Sequence, residues 1–339
     1  FNVSSGSLSL VDISSQVSAD TNKFLGAATM GHRVIFAPML ERSIGIFDVT
    51  THTYTNFNIR PQVDVNAAFG GVGVVGNVAV FSPRRADVVG VYYADLAQFE
   101  TVDISGQVTG TGIPKFGGVA VIGNKTYFAP RDVPYVGVYD VVLKTFSLIS
   151  VPSELASSDY SFEGAVAVNG KVVFCPWWQK YVGILDTANN TWHLLDVSPH
   201  YNGSMKTSTA AAVGHLAVCA PVASPYAFIV DTEAVKVSTL EIDNWFGGAV
   251  AVGSVVVMPP LNTTIVGLVD MTLAITSTGG TTTTGTITTT ETDIVTTSTT
   301  TSITTTIRDS MALPEKQCLV TSKAKAERLR LIPCQVNAR

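Results

Sequence analysis

Charge is scarce in this chain of 339 residues: only 14% of it is Asp, Glu, Lys or Arg, against about a quarter in an ordinary globular protein. With a net charge of -5 at pH 7, the sequence gives no reason to propose nucleic acid as a partner. Long apolar runs are missing too. No stretch reaches the roughly 18 apolar residues of a spanning helix, which excludes such a helix within this sequence. Histidine is limited to 5 and cysteine to 4. Zincin HExxH, hydrolase GxSxG, phosphate-loop, CxxC and EF-hand patterns are all absent. No catalytic residue, metal ligand or cofactor is therefore expected.

What the chain has instead is apolar residues, 46% of the total, and 28 glycines and 15 prolines spread as punctuation. They fall in a repeat. In FGGVAVIGNKTYFAPRDVPYVGVYD, starting at Phe116, glycine follows at +7 (Gly123), proline at +14 (Pro130), glycine at +21 (Gly137) and aspartate at +24 (Asp140). The same frame starts at Phe24, Phe69, Phe162, Thr207 and Phe246 and returns Pro38, Pro83, Pro176, Pro221 and Pro260 at +14. Position +24 is Asp48, Asp140, Asp186, Asp231 and Asp270, with Tyr93 the exception. Self-similarity at this period signals an array of supersecondary units.

Each copy reads as three clear strands and a fourth, more variable one. The first is built of small apolar residues and ends at a hairpin signal such as Gly123-Asn124, Gly31-His32 or Asn169-Gly170. The second stops at the proline, which cannot donate to a ladder. The third ends at the aspartate, whose carboxylate can close a turn on its own backbone. Four short antiparallel strands per unit and no helical period predict an all-β, six-bladed β-propeller, with the small first strands nearest the axis. VDISSQV at 11–17 repeats VDISGQV at 102–108. Residues 8–14 are thus expected to add the closing outer strand to the last blade; a seventh, truncated blade is the alternative.

The predicted division is a propeller over 1–277, a Thr-rich low-complexity stalk over 278–306 that is disordered or extended, and a basic tail over 307–339 with a short helix around 322–331. Cys175 and Cys219 read as small buried hydrophobes. Cys318 and Cys334, in the tail, could pair. Sequons at Asn2, Asn124, Asn189, Asn202 and Asn262, with the low charge and the Thr-rich stalk, favour an extracellular or cell-surface glycoprotein, a cytoplasmic protein being the alternative. The chain opens on Phe1 rather than Met, compatible with a removed leader or with a fragment.

The FGG, FxP and VGVxD units resemble β-propeller repeats. VGILDTANNTW (182–192) is similar to the strand-turn-strand of YVTN-type propellers, and the unit length and paired glycines are similar to kelch repeats, although here Gly-Gly opens a strand instead of ending one. The likeness covers residues 8–277. It implies a fold and no particular activity, since propellers of these kinds serve as binding platforms, adaptors and enzymes.

Binding residues on such a scaffold collect in the connections between second and third strands, which vary between fixed landmarks. They hold Arg84, Arg85 and Arg131, then Trp177, Trp178 and Lys180, with Tyr181 next. Adjacent tryptophans beside arginine suit a protein or glycan ligand, and Tyr160, Tyr201 and Trp245 are expected to border the same face. The expectation is a non-enzymatic recognition module. A propeller enzyme would have to use Glu41, Asp87 and Asp132, the only acids in these loops; an intracellular kelch-like adaptor is the third reading.

Overall fold

The structure, a computed structural model, describes residues 10–19, 22–110, 112–156, 162–242, 244–261, 265–272, 286–292, 298–306, 317–321 and 331–333. It is a six-bladed β-propeller of four-stranded antiparallel blades. The chain divides into two compact units, Phe1–Thr209 and Ala210–Arg339.

The first unit holds blades one to four. Their inner strands are Phe24–Met30, Phe69–Val75, Phe116–Ile122 and Phe162–Val168, each followed in simple up-and-down order by the other three strands. Second and third strands are almost wholly buried, as in Val78–Pro83 and Val88–Tyr93, whereas the outer strand Thr191–Asp196 alternates in burial. The core lies between blades: Ile35 and Ile44 share one cluster with Ala79 and Tyr92, Val80 and Val91 share another with Phe128 and Tyr139, and Tyr127 and Val136 a third with Phe174 and Leu185.

The landmark residues have mechanical reasons. Phe116, Phe128 and Phe146 form an aromatic triad with ring centroids 5.8 and 6.4 Å apart, and Phe69, Phe81 and Phe99 form its counterpart. Position +21 lies beneath it: a Cβ on Gly137 would sit 2.8 Å from Phe128 and 3.0 Å from Phe116. In the fifth copy the sizes are exchanged, Thr207 standing for the first phenylalanine and Phe228 for the glycine. The aspartates close turns. Asp48 Oδ1 accepts from the amides of Thr50 and Thr51, Asp140 from Val142 and Leu143, and Asp231 from Glu233 and Ala234. The bond from Thr51 holds the Asp48 carboxyl below its ordinary range. Four residues past that position the backbone is left-handed at His52, Ala97, Lys144, Asn190 and Val235. The first hairpins follow their residues as well: Gly31 and Gly123 alone carry positive φ, the II′ pattern, while Asn169 and Gly170 both do, the I′ pattern.

A β-bulge opens the inner strands. Phe69 faces Pro83 and Gly71 faces Ser82, leaving Gly70 unmatched; Phe162 faces Pro176 and Gly164 faces Cys175, leaving Glu163 unmatched. Here successive inner strands nearly touch. A Cβ on Gly70 would lie 2.5 Å from the Phe116 carbonyl oxygen, and one on Gly117 would lie 2.5 Å from that of Glu163.

In the second unit, Leu216–Pro221, Tyr226–Asp231 and Lys236–Glu241 continue the fifth blade, whose inner strand Thr207–Val213 spans the unit boundary. The sixth is built from Val250–Val252, Val255–Met258, Val266–Asp270 and Thr286–Thr292. Val218, Ala227, Phe246, Val256 and Met258 form this unit's core.

Three expectations change. Of residues 8–14, the first two lie outside the described residues, Leu10–Ile13 carries no strand, and Ser14–Gln16 is a 3-10 turn with Ser14 donating to the Asp12 carboxylate. A segment locked in that turn cannot supply a ladder, and it leans on blade one, where Asn56 donates to the Gln16 carbonyl at 2.9 Å. The outer place in the sixth blade is taken by Thr286–Thr292 from the Thr-rich stretch, whose β-branched residues favour extended backbone. That sheet runs on through Ser298–Thr306, Gln317–Thr321 and Leu331–Pro333; residues 322–330, most of the expected helix, lie outside the described residues. Third, Cys175 and Cys219 are buried but are both disulfide-bonded, because spacing along a chain carries no information on distances between sulfurs.

Candidate functional site

Each second-to-third strand loop begins just past the proline, at the end of the blade where the bulge opens the inner strand. Glu163 occupies the bulge of blade four. Bulges re-aim side chains, and this one turns its carboxylate toward two neighbouring loops. Glu163 Oε1 accepts from the Arg84 guanidinium of blade two at 2.9 Å, and Oε2 pairs with the Arg131 guanidinium of blade three. The three side chains are 11%, 11% and 7% exposed for Arg84, Glu163 and Arg131. The Arg131 guanidinium also lies over the Trp177 ring, 5.7 Å from its centroid, a cation–π contact that brings in the blade-four loop.

Two buried lysines fasten the same loops from below. Lys115, just ahead of the third inner strand, has no exposed side-chain surface; its ammonium pairs with Asp87 at 2.7 Å and donates to the Ala86 carbonyl at 3.4 Å. Lys206, just ahead of the fifth, donates to the Gly203 carbonyl at 2.5 Å and to that of Trp178 at 3.3 Å. Their amides repeat the match, Lys115 donating to the Arg84 carbonyl and Lys206 to that of Trp177. Burial pushes the Lys206 ammonium below the usual lysine range, since a charge out of water is disfavoured.

The expected site residues therefore separate. Arg84, Arg131 and Trp177 are brought together around Glu163. Trp178 is 53% exposed, more than any other tryptophan or phenylalanine among the described residues, and Arg85 and Lys180 are exposed in their loops. The Lys180 ammonium stands 4.8 Å from the Tyr181 ring centroid, and its bond to that tyrosine raises its pKa. Tyr201 is half-buried, Trp245 is 41% exposed in the second unit, and Tyr160 lies outside the described residues. Of the three acids in these loops, Asp87 pairs with Lys115, and Glu41 accepts from the amides of Ser18 and Arg42.

Sequence reasoning missed Glu163, Lys115 and Lys206. A signal for the first existed: copies two, three and six carry glycine after the landmark residue (Gly70, Gly117, Gly247), and copy four carries an acid.

No protein-family model matches the chain, and no curated protein sequence does. Solved structures do. The chain is similar to the RRP9 WD40 repeats at 11% identity and a TM-score of 0.60, covering 77% of this chain and 81% of that one. Its match to U3-55K has 11% identity, a TM-score of 0.59 and the same coverage. A chain of the mitotic checkpoint complex matches at 9% identity and a TM-score of 0.57, over 74% of this chain and 76% of that one. Identities this low speak for architecture alone: the likeness shared by these chains is that of the β-propeller.

Proposed function

We propose that the chain is a non-enzymatic binding platform, working outside the cytosol, that presents the loops 84–87, 131–134 and 177–181 to a protein partner. One observation carries this reading. A buried Arg84–Glu163–Arg131 cluster, with Trp177 stacked on it, ties three loops from three blades into one rigid surface, and Trp178 stands exposed on that surface with Lys180 exposed in the same loop and Arg85 in the 84–87 loop. Rigid aromatic anchors flanked by cations are the composition of protein hot spots, and an exposed tryptophan held in place loses little conformational freedom on binding. The checkpoint-complex propeller works in a protein assembly, which agrees with this use of the fold. The bonded state of Cys175 and Cys219 supports an oxidising compartment.

The test is a protein array and a glycan array probed with the full chain and with its Trp178→Ala variant. The expected result is a protein ligand lost on substitution while the melting temperature is kept. A glycan as sole ligand, or binding indifferent to Trp178, overturns the reading.

A further inference from the structure

We propose that Asn189 and Asn202 carry N-linked oligosaccharide in the folded protein, and that Asn124, although it has the same motif, does not. The inference rests on the extracytosolic part of the reading above and adds to it which side chains are modified and on which face.

The three sequons within the described residues are not equivalent. Asn189 sits at the tip of the turn between Tyr181–Asp186 and Thr191–Asp196, with Asn189, Asn190 and Thr191 all exposed. Its Oδ1 accepts from the amide of Thr191 at 3.0 Å and from the Thr191 hydroxyl at 2.7 Å. The motif is folded on itself in an Asx turn, and Nδ2 makes no bond among the described residues. Asn202 lies in the link between blades four and five, exposed together with Ser204. The ammonium of Lys206 on the Gly203 carbonyl pins that link without touching the acceptor amide. At Asn124 the asparagine is exposed, but the hydroxy residue of its motif, Thr126, is fully buried and donates to the Tyr139 carbonyl at 3.3 Å. A transferase that must reach that hydroxyl finds it inside the sheet.

In the transfer, the asparagine Nδ2 attacks C1 of an oligosaccharide carried on a polyprenyl diphosphate. An N–C bond forms, the C1–O bond breaks, the diphosphate leaves with the electron pair, and the amide proton passes to a base of the transferase. A glycan on Asn189 lies at the blade end opposite the 177–181 loop and leaves the platform open. One on Asn202 lies at the same end as Trp178 and edges the platform.

The experiment uses the full chain recovered from its native source. Peptide-N-glycosidase treatment in heavy-oxygen water, followed by peptide mass spectrometry, reads each asparagine, and thiol titration of the denatured, unreduced protein reads the cysteines. The expected result is labelled aspartate at 189 and 202, asparagine at 124, and no free thiol at 175 or 219. Unmodified Asn189 and Asn202 with oxidised cysteines overturn this inference and leave the compartment standing. Free thiols with no glycan overturn both. Glycan on Asn124 in excess of the other two overturns the structural selection. Thr191→Ala and Ser204→Ala, both exposed positions, should each remove one glycan with no change in melting temperature.

Discussion

The ammonium of Lys206 donates to the main-chain carbonyl of Trp178 across 3.3 Å, so a buried cation just ahead of the fifth inner strand holds the backbone of the loop that carries this exposed ring. Lys115 stands in the same way to Ala86. Both loops are thereby tied to a buried charge.

Glu163→Gln should be costly. It leaves two guanidiniums, one 11% and the other 7% exposed, without their carboxylate, and breaking a buried ion pair from one side costs about 3–5 kcal/mol. Denaturant unfolding should show that loss. A triple variant, Arg84→Met, Arg131→Met and Glu163→Leu, should recover most of it, because no orphaned charge is left. Equal stability of the two variants would mean the cluster is not desolvated.

Val235→Asn should stabilise. Val235 has φ of +52°, where a β-branched residue is strained and asparagine is tolerated. The gain should be about 1 kcal/mol, read as a raised unfolding midpoint at constant slope.

Gly137→Phe and Phe116→Thr should each destabilise blade three, one by overpacking the triad and the other by emptying it. Combined, they reproduce the exchange found naturally at Thr207 and Phe228. The double variant should lose less than the sum of the singles by about 1 kcal/mol or more; strict additivity would show that the exchange is not a packing compensation.

Alkaline pH should weaken the fold in a defined window. Burial pushes the phenols of Tyr54 and Tyr139 up to about 12 from 10.0. The folded chain then retains protons that the unfolded chain has released, so stability falls as pH rises between about 10 and 12. Tyr54→Phe and Tyr139→Phe should flatten that part of the profile.

Reducing agent should lower the melting temperature, since Cys175 and Cys219 are bonded and a disulfide contributes about 2–4 kcal/mol. An unchanged transition would count against the bonded state.

Much of this was legible in the residue pattern, and the reasons are local. Pro130 ends a ladder, Asp140 closes a turn and Gly137 clears room for a triad, each by its own chemistry within its own blade, so a count of offsets reveals them. The exposed Trp178 and Arg85 were legible for the same reason, as loop residues between fixed landmarks. Glu163 was not, because its role depends on a bulge that turns it toward two other blades. The outer strand of blade six was misplaced because VDISSQV copies VDISGQV, of which only Val102 and Asp103 lie in a strand; the rest is the same turn, Asp103 accepting from the Ser105 amide as Asp12 does from that of Ser14. The cysteines illustrate the same limit, burial being local and bonding not.

The bulge has a consequence beyond geometry. Blades two and four each spend one unmatched residue there, Gly70 and Glu163, and at Gly70 the next inner strand leaves no room for a side chain. A functional group is accommodated there in blade four, whereas at Gly70 and Gly117 any side chain would have to displace the backbone of the next inner strand. A repetitive scaffold built this way can acquire an individual identity one blade at a time, and blade four records one such step.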